Sequence, residues 1–299
     1  MSLTISRFAP SPTGRLHLGH AFSAVRAHDL ARAAGGRFLL RIEDIDPGRT
    51  REEFVSGIEE DLAWLGLAWD RPVVRQSQRL NLYADALERL KARRLVYPCF
   101  CTRAEIAASA AAPHGAVARY PGTCRSLPAA EARIVQEPHC WRLDMAKALT
   151  PVHPELVEGS SFFQVEKNSA STGSAQTDLK WWDEEAGWVL ADPASHGDVV
   201  LARKDAPTSY HLAVTVDDAA QGVTDVVRGM DLFEATHVHR LLQALLGLPT
   251  PLYHHHALLT GPDGRRLAKR DGAKSLAELR AEGADPVALI SALRAGTLP

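Results

Sequence analysis

The stretch Arg7-Phe8-Ala9-Pro10-Ser11-Pro12-Thr13-Gly14-Arg15-Leu16-His17-Leu18-Gly19-His20 decides how the chain is read. The alternating apolar residues before and into it (Leu3, Ile5, Phe8) predict a strand, and the Pro/Ser/Gly run predicts a loop. From Leu18 the spacing of Phe22, Val25, Leu30 and Ala33 predicts a helix that stops at Gly35-Gly36. A strand, a tight loop and a helix start present backbone N–H groups and the positive end of a helix dipole to a phosphate. His17 and His20 add imidazole donors at the same junction, and Gly19 between them lets a planar ring or sugar come close to the backbone. Taken alone, a short HxGH could equally be a βα turn with two solvent-facing histidines.

The 299-residue chain is long enough for about two domains. Its 45% hydrophobic and 23% charged content is that of a soluble globular protein. No run reaches the roughly 18 apolar residues of a membrane span. The start shows no basic segment followed by an apolar core, so a cytoplasmic protein without a secretory leader is expected. Four cysteines do not suggest a disulfide framework. A net charge of −2 does not mark a nucleic-acid binder. Two local basic runs stand out, Arg89-Lys91-Arg93-Arg94 and Arg265-Arg266-Lys269-Arg270, although such runs are ordinarily solvated faces.

The first hundred residues alternate: a β-type run at 37–42, then helical spacing at 51–65 and 78–93. That alternation predicts an α/β fold with a parallel sheet. Residues from about Cys99 to Gly187 break the pattern. Strands are then expected at 199–201, 211–216, 223–227 and 253–259, an amphipathic helix at 233–248, and two short helices between Ser275 and Ala295. The expected division is a first half of a Rossmann-like domain at 1–98, an inserted module at 99–190, a second half at 191–272 and a short helical tail at 273–299. Residues 150–177, ending in a Ser/Thr/Gly-rich segment, have no sustained periodicity and are expected to be an irregular insertion without chemistry.

A second chemical signal lies far along the chain. The turn Gly261-Pro262-Asp263-Gly264 leads into Arg265-Arg266-Leu267-Ala268-Lys269-Arg270-Asp271-Gly272. A lysine after the last strand of an α/β sheet can reach a phosphate that begins at the N-terminal loop.

His17-Leu18-Gly19-His20 resembles the HIGH signature of class I aminoacyl-tRNA synthetases. Arg266 to Arg270 resembles their KMSKS loop, departing at the first lysine and first serine and keeping Lys269 as the matching lysine. RFAPSPTGRLHLGH, Arg41-Ile42-Glu43-Asp44-Ile45-Asp46, Tyr210-His211-Leu212-Ala213-Val214 and Gly222 to Gly229 are similar to the glutamyl branch, in family order. Residues 273–299 leave no room for an anticodon-binding portion, so the resemblance is to the truncated paralogues, the glutamyl-queuosine tRNA(Asp) synthetases. That resemblance implies activation of L-glutamate by ATP with Mg2+, and transfer of glutamate to the queuosine base at the wobble position of tRNA(Asp), by a monomer.

It also implies roles. His17, His20 and Lys269 are the expected catalytic residues. Pro12, Thr13 and Gly19 join them around ATP, and Arg7, Ala9, Ser11, Glu43, Tyr210 and Arg228 hold glutamate. The chemistry agrees: guanidinium pairs bidentately with carboxylate, an acid suits an α-amino group, and a tyrosine can donate a hydrogen bond. Cys99, Cys101 and Cys124 could supply three of four tetrahedral zinc ligands. Chemistry alone favours His114 as the fourth ligand, whereas the resemblance favours Tyr120. Cys140 is expected to be a plain core cysteine, Trp181-Trp182 to be packing, and the run His254-His255-His256 not to bind metal, because alternate strand residues face opposite ways.

Three other functions remain compatible with the motifs. A small coenzyme-making nucleotidyltransferase shares HxGH but would lack the Arg7/Glu43/Arg228 set. A synthetase-like RNA-binding protein would show no pyrophosphate exchange. A shortened tRNA(Glu)-charging enzyme would place glutamate on a tRNA 3′ end.

Overall fold

The computed structural model describes residues 3–102, 104–106, 119–128, 133–150, 179–260 and 274–298. The chain opens with β1 (Ile5–Phe8), α1 (Leu18–Ala33), β2 (Arg37–Ile42), α2 (Glu52–Trp64), β3 (Val74–Arg75), α3 (Leu80–Ala92) and β4 (Val96–Cys99). There follow β5 (Cys140–Leu143), the hairpin β6 (Lys180–Asp183) and β7 (Gly187–Leu190), and β8 (Val200–Ala202). It continues with α4 (Tyr210–Ala220), β9 (Asp225–Gly229), α5 (Ala235–Leu246) and β10 (Leu252–His256), and closes with α6 (Leu276–Ala281) and α7 (Pro286–Arg294).

Seven strands form one sheet in the order β3-β2-β1-β9-β10-β6-β7, and β4-β5-β8 form a second. Every pairing of the large sheet is parallel except the β6–β7 edge. β1 leads to β2 on one side and the adjacent β9 leads to β10 on the other, so the two connections diverge and open a crevice at the carboxyl ends of β1 and β9. This is the expected α/β fold with a parallel sheet. One core packs α1, α2, α6 and α7 against the sheet around Phe8, Phe22, Ile58, Leu62, Leu276 and Leu293. A second joins α3, α4 and α5 to the small sheet around Leu90, Leu143, Leu212 and Leu242.

Sheet pairing runs across the boundaries expected from sequence. The hairpin β6–β7, placed in the 99–190 module, edges the large sheet, and β8, placed in the second half, completes the small one. The reason is visible at Trp181, whose fully buried ring packs on Phe233 and Tyr253 and draws β6 beside β10. The strand expected at 211–216 is instead the start of α4. Its β-branched residues suggest a strand, but Leu212, Ala213, Val214 and Thr215 are all buried between neighbouring elements, so no exposed face marks the helical period. The stretch 151–177 of the expected insertion lies outside the described residues.

The docking of α6 on α2 leaves one acid in an uncomfortable place. Asp61 of α2 is 1% exposed, neither carboxylate oxygen has a hydrogen bond among the described residues, and Arg280 of α6 stands 3.6 Å away. Burial pushes its pKa up to about 6, against the pull of Arg280 and Arg15. A folded-state value above the unfolded one stabilises the protein below pH ~4 and loses that contribution as pH rises through 6. Asp61→Asn is therefore expected to be more stable than the parent at pH 7.5, by about 1 kcal/mol, and to flatten the decline between pH 4 and 6. Urea melts across that range check this; a variant less stable at pH 7.5 would refute it.

Candidate active site

The β1–α1 loop, the carboxyl ends of β2, β9 and β10, and the start of α4 surround a cavity of about 510 Å3. Of the residues expected from sequence, Arg7, Ala9, Ser11, Thr13, His17, Gly19, His20, Glu43, Tyr210 and Arg228 line it. Pro12 does not; it is buried behind the loop, where its carbonyl accepts the N–H of Arg51. Lys269 and the rest of 265–270 lie outside the described residues. Both flanks of that segment reach the site: Leu258 and Leu259 line the cavity, and Ser275 bridges to His17.

The two histidines are fixed by the helix they begin. His17 is the N-cap of α1, and its Nδ1 accepts the N–H of Gly19 at 3.1 Å. The backbone N–H of His17 in turn donates to His20 Nδ1 at 3.2 Å. An imidazole nitrogen that accepts is bare, so each neutral ring carries its proton on Nε2. The rings lie 3.9 Å apart, tilted by 36°. A Cβ on residue 19 would stand 3.0 Å from the His17 ring. The closeness Gly19 permits is thus used first by its own neighbour.

The cations of the site are held in two different ways. Arg7 and Arg41 both donate to the buried Asp218 of α4, at 3.0 and 2.8 Å, and Arg41 also reaches Glu43 at 3.4 Å. Burial would raise Asp218, but the two guanidinium groups hold it below the usual carboxylate range. Burial raises Glu43, against the pull of Arg41 and Arg7. Arg228 differs. Its Nε donates to His255 Nε2 at 3.0 Å, its Nη2 to Thr236 Oγ1 at 2.5 Å, and its Nη1 lies 3.4 Å from both the Tyr210 hydroxyl and His239 Nδ1. Among the described residues no carboxylate pairs with it. Burial, and then the charge of Arg228, push His255 down to about 4 and His239 well below its ordinary value.

Asp218, His239 and His255 escaped the sequence reading as site residues. Asp218 follows Tyr210 by eight residues, a spacing that shares a face in a helix and in a strand alike, so no local signal singled it out. The histidine run behaves as expected of a strand: His254 bonds Asp225, His255 turns to Asp183 and Arg228, and His256 bonds Ser23 and lines the cavity. The basic run at 89–94 is put to structural use, since Arg89 and Arg93 donate to the carbonyls of Leu246 and Leu245 at the end of α5.

Cys99, Cys101 and Cys124 bring their sulfurs within 4.8 Å of one another, and Cys101 Sγ is 3.5 Å from Cys124 Sγ. Edges of a ZnS4 tetrahedron measure roughly 3.8 Å, so the three fit one metal. The Tyr120 hydroxyl stands 3.3 Å from Cys99 Sγ and 3.6 Å from Cys101 Sγ and accepts the N–H of Cys124 at 2.9 Å. His114 lies outside the described residues. Cys140 pairs in register with Cys99 across the β4–β5 ladder and is buried, so it is a neighbour of the cluster.

A parallel sheet with a phosphate-suited loop and HxGH helix start at its crevice, and buried cations across the cavity, is the architecture of a class I aminoacyl-tRNA synthetase catalytic domain. The chain belongs to that family: residues 4–298 match the tRNA synthetases class I (E and Q), catalytic domain, and the protein is a ligase. It is 51% identical over 290 residues to the glutamyl-Q tRNA(Asp) synthetase of Rhodobacter capsulatus, covering 94% of this chain and 96% of that one. The enzyme of that name from Symbiobacterium thermophilum is 43% identical over 298 residues, covering 96% of this chain and 84% of the relative. Glutamate–tRNA ligase 1 of Ruegeria pomeroyi is 39% identical over 298 residues, 97% of this chain but 60% of that one. A crystal structure of a glutamate tRNA ligase from Elizabethkingia meningosepticum, in complex with its amino acid, superposes with a TM-score of 0.71 at 28% identity. It covers 91% of this chain and 53% of that one. The resemblance read from the HxGH and its neighbouring blocks is borne out. No described helix is long and apolar enough to cross a membrane.

Proposed function

We propose that this chain activates L-glutamate with ATP and transfers the glutamyl group to the queuosine base at the wobble position of tRNA(Asp). The carrying observation is that Arg228, a buried cation with only neutral hydrogen-bond partners, lines the same cavity as His17 and His20. A carboxylate ligand beside a phosphate-binding loop satisfies both. The relatives named glutamyl-Q tRNA(Asp) synthetase support the acceptor.

In this reading Arg228 takes one carboxylate of glutamate, Arg7 the other, and Glu43 the α-ammonium group. Tyr210 walls the pocket; Ala9 and Ser11 line the amino-acid end. An α-carboxylate oxygen bonds to the α-phosphorus of ATP, the bond to the bridging oxygen breaks, and pyrophosphate leaves. The Nε2–H groups of His17 and His20, with Lys269 and Thr13, stabilise charge on the phosphates, and Gly19 leaves room for ATP beside them; no covalent enzyme intermediate is needed. Magnesium carried with ATP would add positive charge at the phosphates. A hydroxyl of the queuosine cyclopentene ring then attacks the acyl carbon, gives up its proton, and AMP departs.

The deciding experiment incubates purified tRNAs with ATP and labelled glutamate and maps the labelled nucleotide. Label at the wobble position of queuosine-containing tRNA(Asp) is expected. Label on the 3′ end of tRNA(Glu) would overturn the acceptor, and no glutamate-dependent pyrophosphate exchange would overturn the activation step.

Cys99, Cys101, Tyr120 and Cys124 would hold one structural zinc, which ties β4 to the segment around 120. The purified protein is expected to contain about one zinc per chain. Cys124→Ser should lose the metal and melt at lower temperature, whereas Cys140→Ser should keep it. Elemental analysis checks both, and equal loss in the two variants would count against the ligand set.

A further inference from the structure

Arg228 is aligned by groups on two strands, β6 and β10, outside the recognised motifs. We propose that Asp183 and His255 are positioning residues for Arg228: Asp183 holds the His255 proton on Nδ1, and the bare Nε2 accepts the Arg228 Nε–H. The proposal deepens the glutamate reading and rests on it for its kinetic arm.

The register puts the three in line. His255 of β10 is the direct neighbour of Arg228 on β9, and β6 pairs with β10 one residue pair away, Tyr253 opposite Asp183. Arginine stays protonated, so its Nε can only donate, and His255 Nε2 at 3.0 Å must accept. A neutral imidazole with a bare Nε2 carries its proton on Nδ1, and that atom lies 2.7 Å from Asp183 Oδ2. Both side chains are 0% exposed, so water does not compete for either position. Burial lowers His255 to about 4, which keeps the ring neutral near pH 7.

The same logic runs through the other contact. His239 Nδ1 accepts from Arg228, which leaves its proton on Nε2, and Nε2 stands 3.1 Å from His211 Nδ1. Each ring of the cluster has one consistent proton position.

The arrangement explains why a relay stands where an ion pair could have stood. Asp218 sits directly on Arg7 and Arg41 and offsets their charge. Asp183 is separated from Arg228 by one neutral ring. The guanidinium is therefore held in orientation while its charge stays uncompensated for a carboxylate in the cavity. Asp183 itself is fixed by the β6–β7 turn, its Oδ1 accepting the N–H of Glu185 and Ala186 at 3.1 Å.

The experiment pairs two substitutions with one spectrum. In His255→Gln the side-chain oxygen reaches the Nε2 position and can still accept from Arg228; in His255→Asn the amide reaches only the Nδ1 position. In ATP–pyrophosphate exchange His255→Asn is expected to raise the glutamate KM about tenfold or more, with the ATP KM unchanged, and His255→Gln to stay within about threefold of the parent. An unchanged glutamate KM in His255→Asn, or equal rises in both variants, would overturn the proposal. Independently, 15N-detected NMR of the unmodified protein at pH 7 is expected to show His255 protonated on Nδ1 and bare on Nε2. A proton on Nε2, or on both nitrogens, overturns the pair even if the variants do not fold. A parent enzyme without glutamate-dependent exchange refutes the functional reading alone, because the NMR result still decides the pair.

Discussion

Arg228→Ala is expected to raise the glutamate KM about 100- to 1,000-fold in ATP–pyrophosphate exchange, with the ATP KM within a few-fold of the parent and the fold intact. A buried, charge-assisted pair contributes about 3–4 kcal/mol when its partner is truncated, which sets that range. The case for Arg228 over Arg7 is the company each keeps. Arg7 already donates twice to Asp218, so its removal leaves a buried carboxylate short of a partner, and Arg7→Ala should cost stability as well as affinity. Among the described residues Arg228 bonds only neutral acceptors, so its removal strands no opposite charge there. Arg228→Lys should recover a minor part of the affinity, because an ammonium keeps the charge and loses the fork. Saturation kinetics in glutamate check the ordering, and a glutamate KM unchanged in Arg228→Ala would remove the residue from the binding site.

What the sequence disclosed and what it hid follow from the range of the forces involved. The β1–α1 unit was legible because loop, cap and apolar period are all encoded within Ile5 to Ala33. The residues that line the cavity were legible for the same reason, since they sit in short blocks. Their anchors were not. Asp218 meets Arg7 across 211 positions and Asp183 meets His255 across 72, and no local pattern announces such a partner. The α4 segment misleads for a related cause: with Leu212 to Thr215 all buried, the polar face that would have declared a helix is missing, and β-branched residues point to a strand. The edge hairpin shows the limit on domain boundaries. Trp181 and Tyr253 decide that β6 joins the large sheet, and that contact joins two distant parts of the chain.

His17→Asn and His20→Asn are each expected to lower kcat for pyrophosphate exchange by about 100- to 1,000-fold, the usual cost of losing a preorganised donor to a developing charge. Asparagine is the informative replacement. At position 17 it is among the best N-caps, so it can accept the N–H that His17 Nδ1 now accepts from Gly19, and the start of α1 survives. What disappears is the Nε2–H, one ring further out, in a cavity both rings line. The backbone bonds at 3.1 and 3.2 Å fix both tautomers, so in the proposed reaction each ring would offer an Nε2–H to the phosphates. If the histidines served only to cap the helix, His17→Asn would be silent in kcat and His17→Ala would lower the melting temperature. If they act on the phosphates, both replacements lower kcat alike while the glutamate KM stays within about threefold, because the proposed glutamate ligand, Arg228, is left unchanged. The pair of substitutions thus separates a helix cap from a catalytic group at the same residue.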